Sequence, residues 1–534
     1  MTRRGVGFLV LAVVGSLALA PPLAAHEPPP PAPPVDAPGL GLERSDPQGP
    51  CGGYGFEIPA PGGAVACTHG PDPAPAGVDV GQRPSIAQLH AFTLDAPGGE
   101  GGVAGVSGEQ MVPCVGYGTA GMRVQAIYAY VVGSASRYAD VAPLIRSWAR
   151  DADDVFDASA AQTGGSRHLR WLHDTSCVPS VIELALSSSS VSNLGQMMAE
   201  LTAAGLSRPD RRYVIWFDVN YLCGVAVTLP DDSPGAGNAN NGIPTDFVHF
   251  ARVDSACWGR PMPETLVEAH EIMHTLGAVQ WSAPNTSSLT PGDGYWGHCV
   301  DEYDTMCYQA GTPKPMVYRC PPGNERYLDC NHDDYFHTAP AAGSYLATHW
   351  NPAMSAFLVR VDPIGGFLDV DASIFRADIG WIEGAGITAG CSADGESYCP
   401  DALVSRGQMA SFLARALGLP PSGTDFFTDD ETSIHEPDIN RVAAAGIATG
   451  CGGGRYCPTQ PVAREQMASF LVRAVGPPAT GADFFTDDAG SIHESDINRV
   501  AAAGIATGCG GGRYCPAQPV TRGQMAAFLH RAFT

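Results

Sequence analysis

Apolar positions outline the elements before any motif is read. From Tyr138 to Ala161, the residues Val141, Leu144, Ile145, Trp148, Ala149, Ala152 and Phe156 recur every three or four positions, which predicts a long amphipathic helix. Asn193 to Ala204 and Pro263 to Val279 carry shorter helical patterns. In the second of these, Leu266, Val267, Ala269, Ile272, Met273 and Leu276 are apolar. Around them lie runs rich in β-branched and aromatic residues at 123–132, 167–172, 181–186, 212–218, 223–229 and 247–253. These read as strands. Strands mixed with long helices predict an α/β (α+β) domain over residues 114–360, with a mixed sheet. Upstream, residues 51–113 are rich in Gly and Pro and poor in either periodicity, as a propeptide or a small lobe would be. Residues 26–50, with Pro28 to Pro31 in a row, read as an extended linker.

The first 25 residues have a different pattern. Arg3 and Arg4 precede an apolar run from Phe8 to Ala20, and small residues follow at Ala18-Leu-Ala20 and Leu23-Ala-Ala25. That is the layout of a general secretory signal peptide. No later segment approaches ~18 uninterrupted apolar residues, so no transmembrane span is expected. The chain has 534 residues, a net charge of −25 and a single lysine, Lys314. Such a charge excludes nucleic acid as a partner, because phosphate binding needs a basic face. Export also explains the cysteines. An even number, 16, outside the cell predicts disulfides.

The sharpest chemical signal is His270-Glu271-Ile272-Met273-His274 on the predicted helix. At spacing i, i+4 the two imidazoles leave one helix face and can bind one metal. Neutral imidazole nitrogen suits Zn²⁺ with one position left open, and Glu271 beside it can serve as general base. Gly277, three residues past His274, resembles the His-Glu-x-x-His-x-x-Gly pattern of the metzincin clan of zinc proteases. The resemblance implies a third ligand where this chain has Gln280, a poor Zn²⁺ donor. We therefore expect a loop, 281–297, to be inserted and His298 to be the third ligand. The alternatives are Asp301, Glu302 and Asp304, as ligands or as partners of a ligating imidazole. Thr305-Met306-Cys307-Tyr308 resembles the Ser-x-Met-x-Tyr turn of astacin-like and serralysin-like members. That likeness implies Met306 beneath the metal and Tyr308 as a ligand or catalytic phenol.

Asp329, Asn331 and Asp333 repeat oxygen donors at i, i+2, i+4, as a calcium loop begins. Asp334 and Pro340 stand where an EF-hand needs Gly and Glu, so the segment is either a structural Ca²⁺ site of another kind or a solvated acidic turn clipped by Cys320 and Cys330. Cys299 with Cys307 would staple the turn carrying Met306. Cys223 with Cys257 and Cys114 with Cys177 are further candidates. Pro50-Cys51-Gly52 is similar to the cysteine switch of matrix-type proteases, but the even cysteine count favours Cys51 with Cys67.

The last third of the chain repeats. Residues 425–474 and 483–532 match at 42 of 50 positions, and a diverged copy begins near Phe367. The units span 364–420, 423–478 and 481–534, and each is expected to be a small, mainly helical module. Each holds a cysteine pair closing one short loop: Cys391 with Cys399, Cys451 with Cys457, Cys509 with Cys515. The copies resemble S-layer homology modules, which come in threes and bind anionic cell-wall polysaccharide. The resemblance makes Arg406, Arg464 and Arg522 candidates for polymer contact. The alternative is that these arginines brace helices. Taken together, the expected protein is a secreted, cell-wall-associated zinc metalloendopeptidase acting on protein or peptide substrates. The competing expectations are an inactive surface binding protein and a zinc amidase of wall peptides.

Overall fold

The computed structural model describes residues 40–75, 77–94, 110–242, 246–259, 266–290, 296–308, 312, 314–360 and 366–534. The expected signal peptide and most of the Pro-rich segment lie outside these residues. The N-terminal lobe holds three short antiparallel strands, β1 (Glu43–Arg44), β2 (Phe56–Pro59) and β3 (Val65–Thr68), followed by α1 (Ile86–Leu94). Residues 40–50 are thus part of the lobe and not a free linker. Leu40 is buried with Ile58 and Ala66 against Leu194, Met197 and Met198. Strands of two to four residues carry too few positions to display a period, which is why this region reads as patternless.

The next domain is built on a five-stranded sheet. Its strands are β4 (Arg123–Val131), β6 (Val181–Leu186), β7 (Arg211–Phe217), β8 (Gly224–Ala226) and β9 (Phe250–Asp254), in the order β6-β4-β7-β9-β8. All neighbours run parallel except β8, an antiparallel edge strand with Gly224 opposite Val253. β5 (His168–Leu169) sits outside this sheet and pairs with β12 (Leu358–Val359). One sheet face packs on α2 (Tyr138–Gln162) and α4 (Val267–Thr275), where Trp148, Phe156, Ile272 and Met273 are buried. The other face packs on α3 (Leu194–Ala203), whose first turn is capped by the Asn193 side chain accepting from Gln196 N at 2.8 Å. Small pieces complete the domain: β10 (Asp301–Glu302) paired with β11 (Val317–Tyr318), and α5 (Tyr345–Thr348). The fold is therefore mixed α/β, with the edge strand and α4 side by side.

The repeats close into a ring. Their helices are α6 (Arg376–Gly384), α7 (Arg406–Ala416), α8 (Glu436–Ala444), α9 (Arg464–Val475), α10 (Glu494–Ala502) and α11 (Arg522–Phe533). α7 packs on α8, α9 on α10 and α11 on α6, so the third copy returns to the first. The seam is cyclic at the backbone as well. Val404 N donates to Val520 O, Val520 N to Val462 O and Val462 N to Val404 O, each at 2.9 Å. Gln408 and Gln524 form capping boxes with Ser405 and Thr521, which explains the recurring Arg-x-Gln-Met segment. In each copy one aspartate, Asp369, Asp429 or Asp487, accepts backbone N–H groups beside the second cysteine.

This geometry corrects the polymer-contact expectation for Arg406, Arg464 and Arg522. All three are buried, at 4%, 4% and 3% exposure. Arg406 Nε donates to Tyr456 O, Arg464 Nε to Tyr514 O and Arg522 Nε to Tyr398 O, each across a seam, at 2.8, 2.8 and 2.6 Å. Each guanidinium also lies over two rings, as Arg464 does over Tyr514 and Phe528. A planar, weakly hydrated cation suits such a slot, so the arginines brace the ring. The first repeat docks on the preceding domain through Glu396, which meets Arg123 at 2.8 Å and Arg170 at 2.6 Å.

All eight candidate cysteine pairs are disulfides: 51–67, 114–177, 223–257, 299–307, 320–330, 391–399, 451–457 and 509–515. Cys51 is therefore not a thiolate available to a metal.

Candidate metal centre

α4 projects His270 and His274 from one face while Ala269, Ile272 and Met273 enter the core. The helix ends at Gly277, where φ is +89° and an added Cβ would lie 2.5 Å from Asn240 Cγ. The chain turns there because only glycine tolerates both conditions. Beyond the turn, Ser287 N and Oγ each donate to His298 O at 2.8 Å, and the Cys299–Cys307 bridge folds residues 298–308 back beneath the helix. Met306 is fully buried there.

The arrangement brings His270, His274, His298, Glu271 and Tyr308 together. His270 Nδ1 lies 2.7 Å from Thr305 O, and His274 Nδ1 lies 3.0 Å from Ala278 O. A carbonyl only accepts, so each Nδ1 carries a proton, and in the neutral ring the lone pair then falls on Nε2. Those two Nε2 atoms are 3.0 Å apart. Two lone pairs held face to face in a buried site are stabilised by a shared cation. The His298 ring stands 5.4 Å from His270 and 5.0 Å from His274 between centroids, and its Nε2 is 3.0 Å from Tyr308 Oη. Burial lowers the pKa of His274 and His298, which keeps them neutral and able to ligate.

Two further donors come from the N-terminal lobe, and periodicity does not single them out. Asp72 Oδ2 is 3.3 Å from His270 Nε2, and its Oδ1 is 3.2 Å from His298 Nε2. The His69 ring lies 3.9 Å from that of His274. Ligand atoms of His69, Asp72, His274 and His298 all fall within 4.8 Å of one another. The one signal in the chain is compositional, a His69-Gly-Pro-Asp72 turn directly after Cys67 in a segment otherwise short of chemistry.

Glu271 is fully buried, and neither carboxylate oxygen has a protein hydrogen-bond donor. Burial, and then the facing Asp72, push its pKa well above the usual value. Room for it depends on Gly224 of β8, since a Cβ there would sit 1.8 Å from Glu271 Oε1. Burial likewise raises the Tyr308 phenol, which keeps its proton and donates it to Asp72. His270, His274 and His298 supply the three nitrogen donors of one Zn²⁺ site, with Glu271 unpartnered beside them and His69 and Asp72 as further donors facing it.

Other expected site residues are placed elsewhere. Gln280 Nε2 donates to Leu229 O at 3.0 Å and Gly277 O at 2.9 Å, so its amide serves the turn. Asp304 accepts from Met306 N, Cys330 N and Tyr335 Oη, and Asp301 accepts from Asn331 Nδ2. Their oxygens are committed below the site, which corrects their candidacy as ligands. The calcium-loop expectation is corrected too. Asp329 spends its oxygens on the backbone N–H groups of residues 333–336, and Asn331 turns to Asp301. Asp301, Asp304, Asp329 and Asp334 instead form one buried acidic cluster.

Comparison with known proteins covers part of the chain. The S-layer homology domain family matches residues 485–526, within the third repeat. An endoglucanase of Bacillus sp. (strain KSM-635) is 36% identical over 78 residues, 15% of this chain and 8% of that protein. An uncharacterized cell wall amidase of Bacillus anthracis is 30% identical over 142 residues, 25% of this chain and 26% of that protein. The chain thus spans at most about a quarter of these relatives. Among the described residues no helix is long and apolar enough to cross a membrane.

Proposed function

We propose that the chain is a cell-surface zinc hydrolase of peptide bonds, with a metzincin-like catalytic domain and a ring of S-layer homology repeats that holds it to wall polysaccharide. One observation carries the reading. Two tautomer-locked imidazoles face each other at 3.0 Å beside a buried, unpartnered carboxylate. His270, His274 and His298 would hold the ion. When bound there, zinc supplies a Lewis acid that polarises a water and the scissile carbonyl. Glu271 takes the proton from the attacking water and passes it to the leaving amine, a role suited to a carboxyl whose affinity for protons is raised. Tyr308, kept protonated by burial, can donate to the oxygen that gains charge. The β8 edge lies next to α4, and its pairing with residues 67 and 72 through Thr228 N and Gly224 O is the kind of backbone pairing an extended substrate would make there.

The S-layer homology match supports attachment to the cell surface, and both relatives bear names of hydrolases. Their coverage is too short to carry their activities across. The name of the second relative favours one alternative, a zinc amidase of wall peptides.

The test begins with metal. Mass spectrometry should find one zinc per wild-type chain and none in His270→Ala or His274→Ala. Glu271→Ala should keep the zinc and abolish hydrolysis by any form of the chain that cleaves casein. Release of muropeptides without casein cleavage would select the amidase. Stoichiometric zinc with no hydrolysis of either substrate by any form would favour a binding protein.

A further inference from the structure

The second and third repeats each bury a carboxylate that the ring does not use. Asp430 and Asp488 are 0% and 1% exposed, and no hydrogen bond from another residue reaches either oxygen of either side chain. The aspartates just before them differ. Asp429 and Asp487 accept from the backbone N–H groups of residues 456, 457, 514 and 515. A buried carboxylate without donors is costly unless it keeps a proton or a cation meets it.

The surroundings favour the cation. Asp430 is faced by Asp425 and by Glu436, the first residue of α8. Asp488 is faced in the same way by Asp483 and by Glu494, the first residue of α10. Burial raises the pKa of both aspartates, and these neighbours push it the same way. Asp425 and Asp483 are exposed and the two glutamates half-buried, so each cluster opens to solvent on one side.

The first repeat shows what this position needs for packing. Val370 stands where the other copies have Asp430 and Asp488, and it is 1% exposed within the core of the ring. The two facing acids are missing from that copy as well. Gly365 stands in place of Asp425 and Asp483, and Arg376 in place of Glu436 and Glu494. The repeat thus packs with an apolar group at the buried position, and the fold itself does not require the acids.

We propose that Asp425, Asp430 and Glu436 bind one Ca²⁺ and that Asp483, Asp488 and Glu494 bind a second, both on the ring and away from the metal centre. The donors are all oxygen, which selects a hard cation. Ca²⁺ accepts an irregular set of carboxylates completed by carbonyls and waters, whereas Mg²⁺ demands near-octahedral geometry. Calcium sites of extracellular modules have Kd of about 10⁻⁴–10⁻³ M, the range expected here. Nothing in this proposal rests on the zinc-hydrolase reading.

The experiment uses the full chain, dialysed into calcium-free buffer. Wild type is compared with the double variant Asp430→Val, Asp488→Val, which copies the first repeat, with the near-isosteric Asp430→Asn, Asp488→Asn, and with Asp329→Asn. Equilibrium dialysis with radioactive calcium gives ions per chain, and calorimetry gives the Tm of the repeats. Wild type and Asp329→Asn should bind two ions that neither double variant binds. Calcium at roughly 10 mM should raise the wild-type transition by about 5–20 °C. The valine variant should be folded without calcium, and its transition should not move when calcium is added. Equal calcium binding by wild type and both double variants would overturn the proposal. Loss of the two ions in Asp329→Asn alone would place them in the other acidic cluster and overturn it equally. A wild-type chain that binds no calcium would do so without reference to any variant.

Discussion

Replacing Arg464 with methionine separates an arginine that braces the ring from one that reads a polymer. The side chain lies buried at the seam between the second and third repeats. Its Nε is 2.8 Å from Tyr514 O, and its Cζ is 4.8 and 5.5 Å from the rings of Tyr514 and Phe528. Methionine keeps most of the volume and removes the donor and the charge. The carbonyl left unpaired costs about 1–3 kcal/mol. The lost stacking costs about 0.5–2 kcal/mol. Burial already lowers the guanidinium pKa, so removing the charge returns part of its desolvation cost. The net is a destabilisation of about 2 kcal/mol. For a cooperative unit of roughly 170 residues that is a fall of about 4–8 °C in Tm. Calorimetry of the full chain should show the transition of the repeats moving by this amount. Sedimentation with purified cell walls, well below that transition, should be unchanged. Arg406→Met and Arg522→Met should behave alike, because their seams repeat the same contacts. An unmoved transition refutes the brace, and an unmoved transition with wall binding lost would make the arginine the recognition group after all.

Further outcomes follow from the site and from the acidic cluster. His298→Ala should weaken zinc by more than the ~10–100-fold that losing an outer partner costs, whereas Gln280→Ala should leave zinc stoichiometry unchanged; metal analysis under dilution checks both. Gly224→Ala drives a Cβ against Glu271, so in any form that cleaves casein kcat should fall by about 10²–10⁴-fold while zinc stays bound; a fall of less than ~10-fold would remove Glu271 as the base. Burial and neighbouring carboxylates raise Asp329 and Asp334 to about 8, and burial raises Asp301 to about 6. An acid whose folded pKa exceeds its unfolded value of about 3.9 leaves the native state binding more protons between the two, so stability falls as pH rises through that window. In EGTA, Tm should therefore decline from pH 5 to pH 8, and Asp329→Asn should flatten the slope; a Tm that rises over this range refutes the reading.

What the sequence discloses depends on how many residues a feature spreads across. The His270-Glu271-x-x-His274 pair is legible because helix geometry converts a four-residue spacing into a shared face, and that geometry needs only local information. The cysteine pairs of the repeats are legible for a similar reason, since each closes one short loop within one copy. His298 is harder, because 24 residues separate it from His274 and only the turn around Met306 hints at the return. Asp72 is marked only by the composition of its turn. Its position follows from the edge of β8, set by residues 224–226, and from a lobe whose strands are too short to show a period. The arginines of the repeats fail differently. Their recurrence marks a constraint, but a charged residue repeated at one position fits a polymer site and a buried seam equally well. The choice turns on Tyr398, Tyr456 and Tyr514, each supplied by the neighbouring copy some 50 or 124 residues away in sequence. Features made by one element can be read from its own residues, whereas those made by two elements meeting, such as the metal site and the braced ring, wait on the fold.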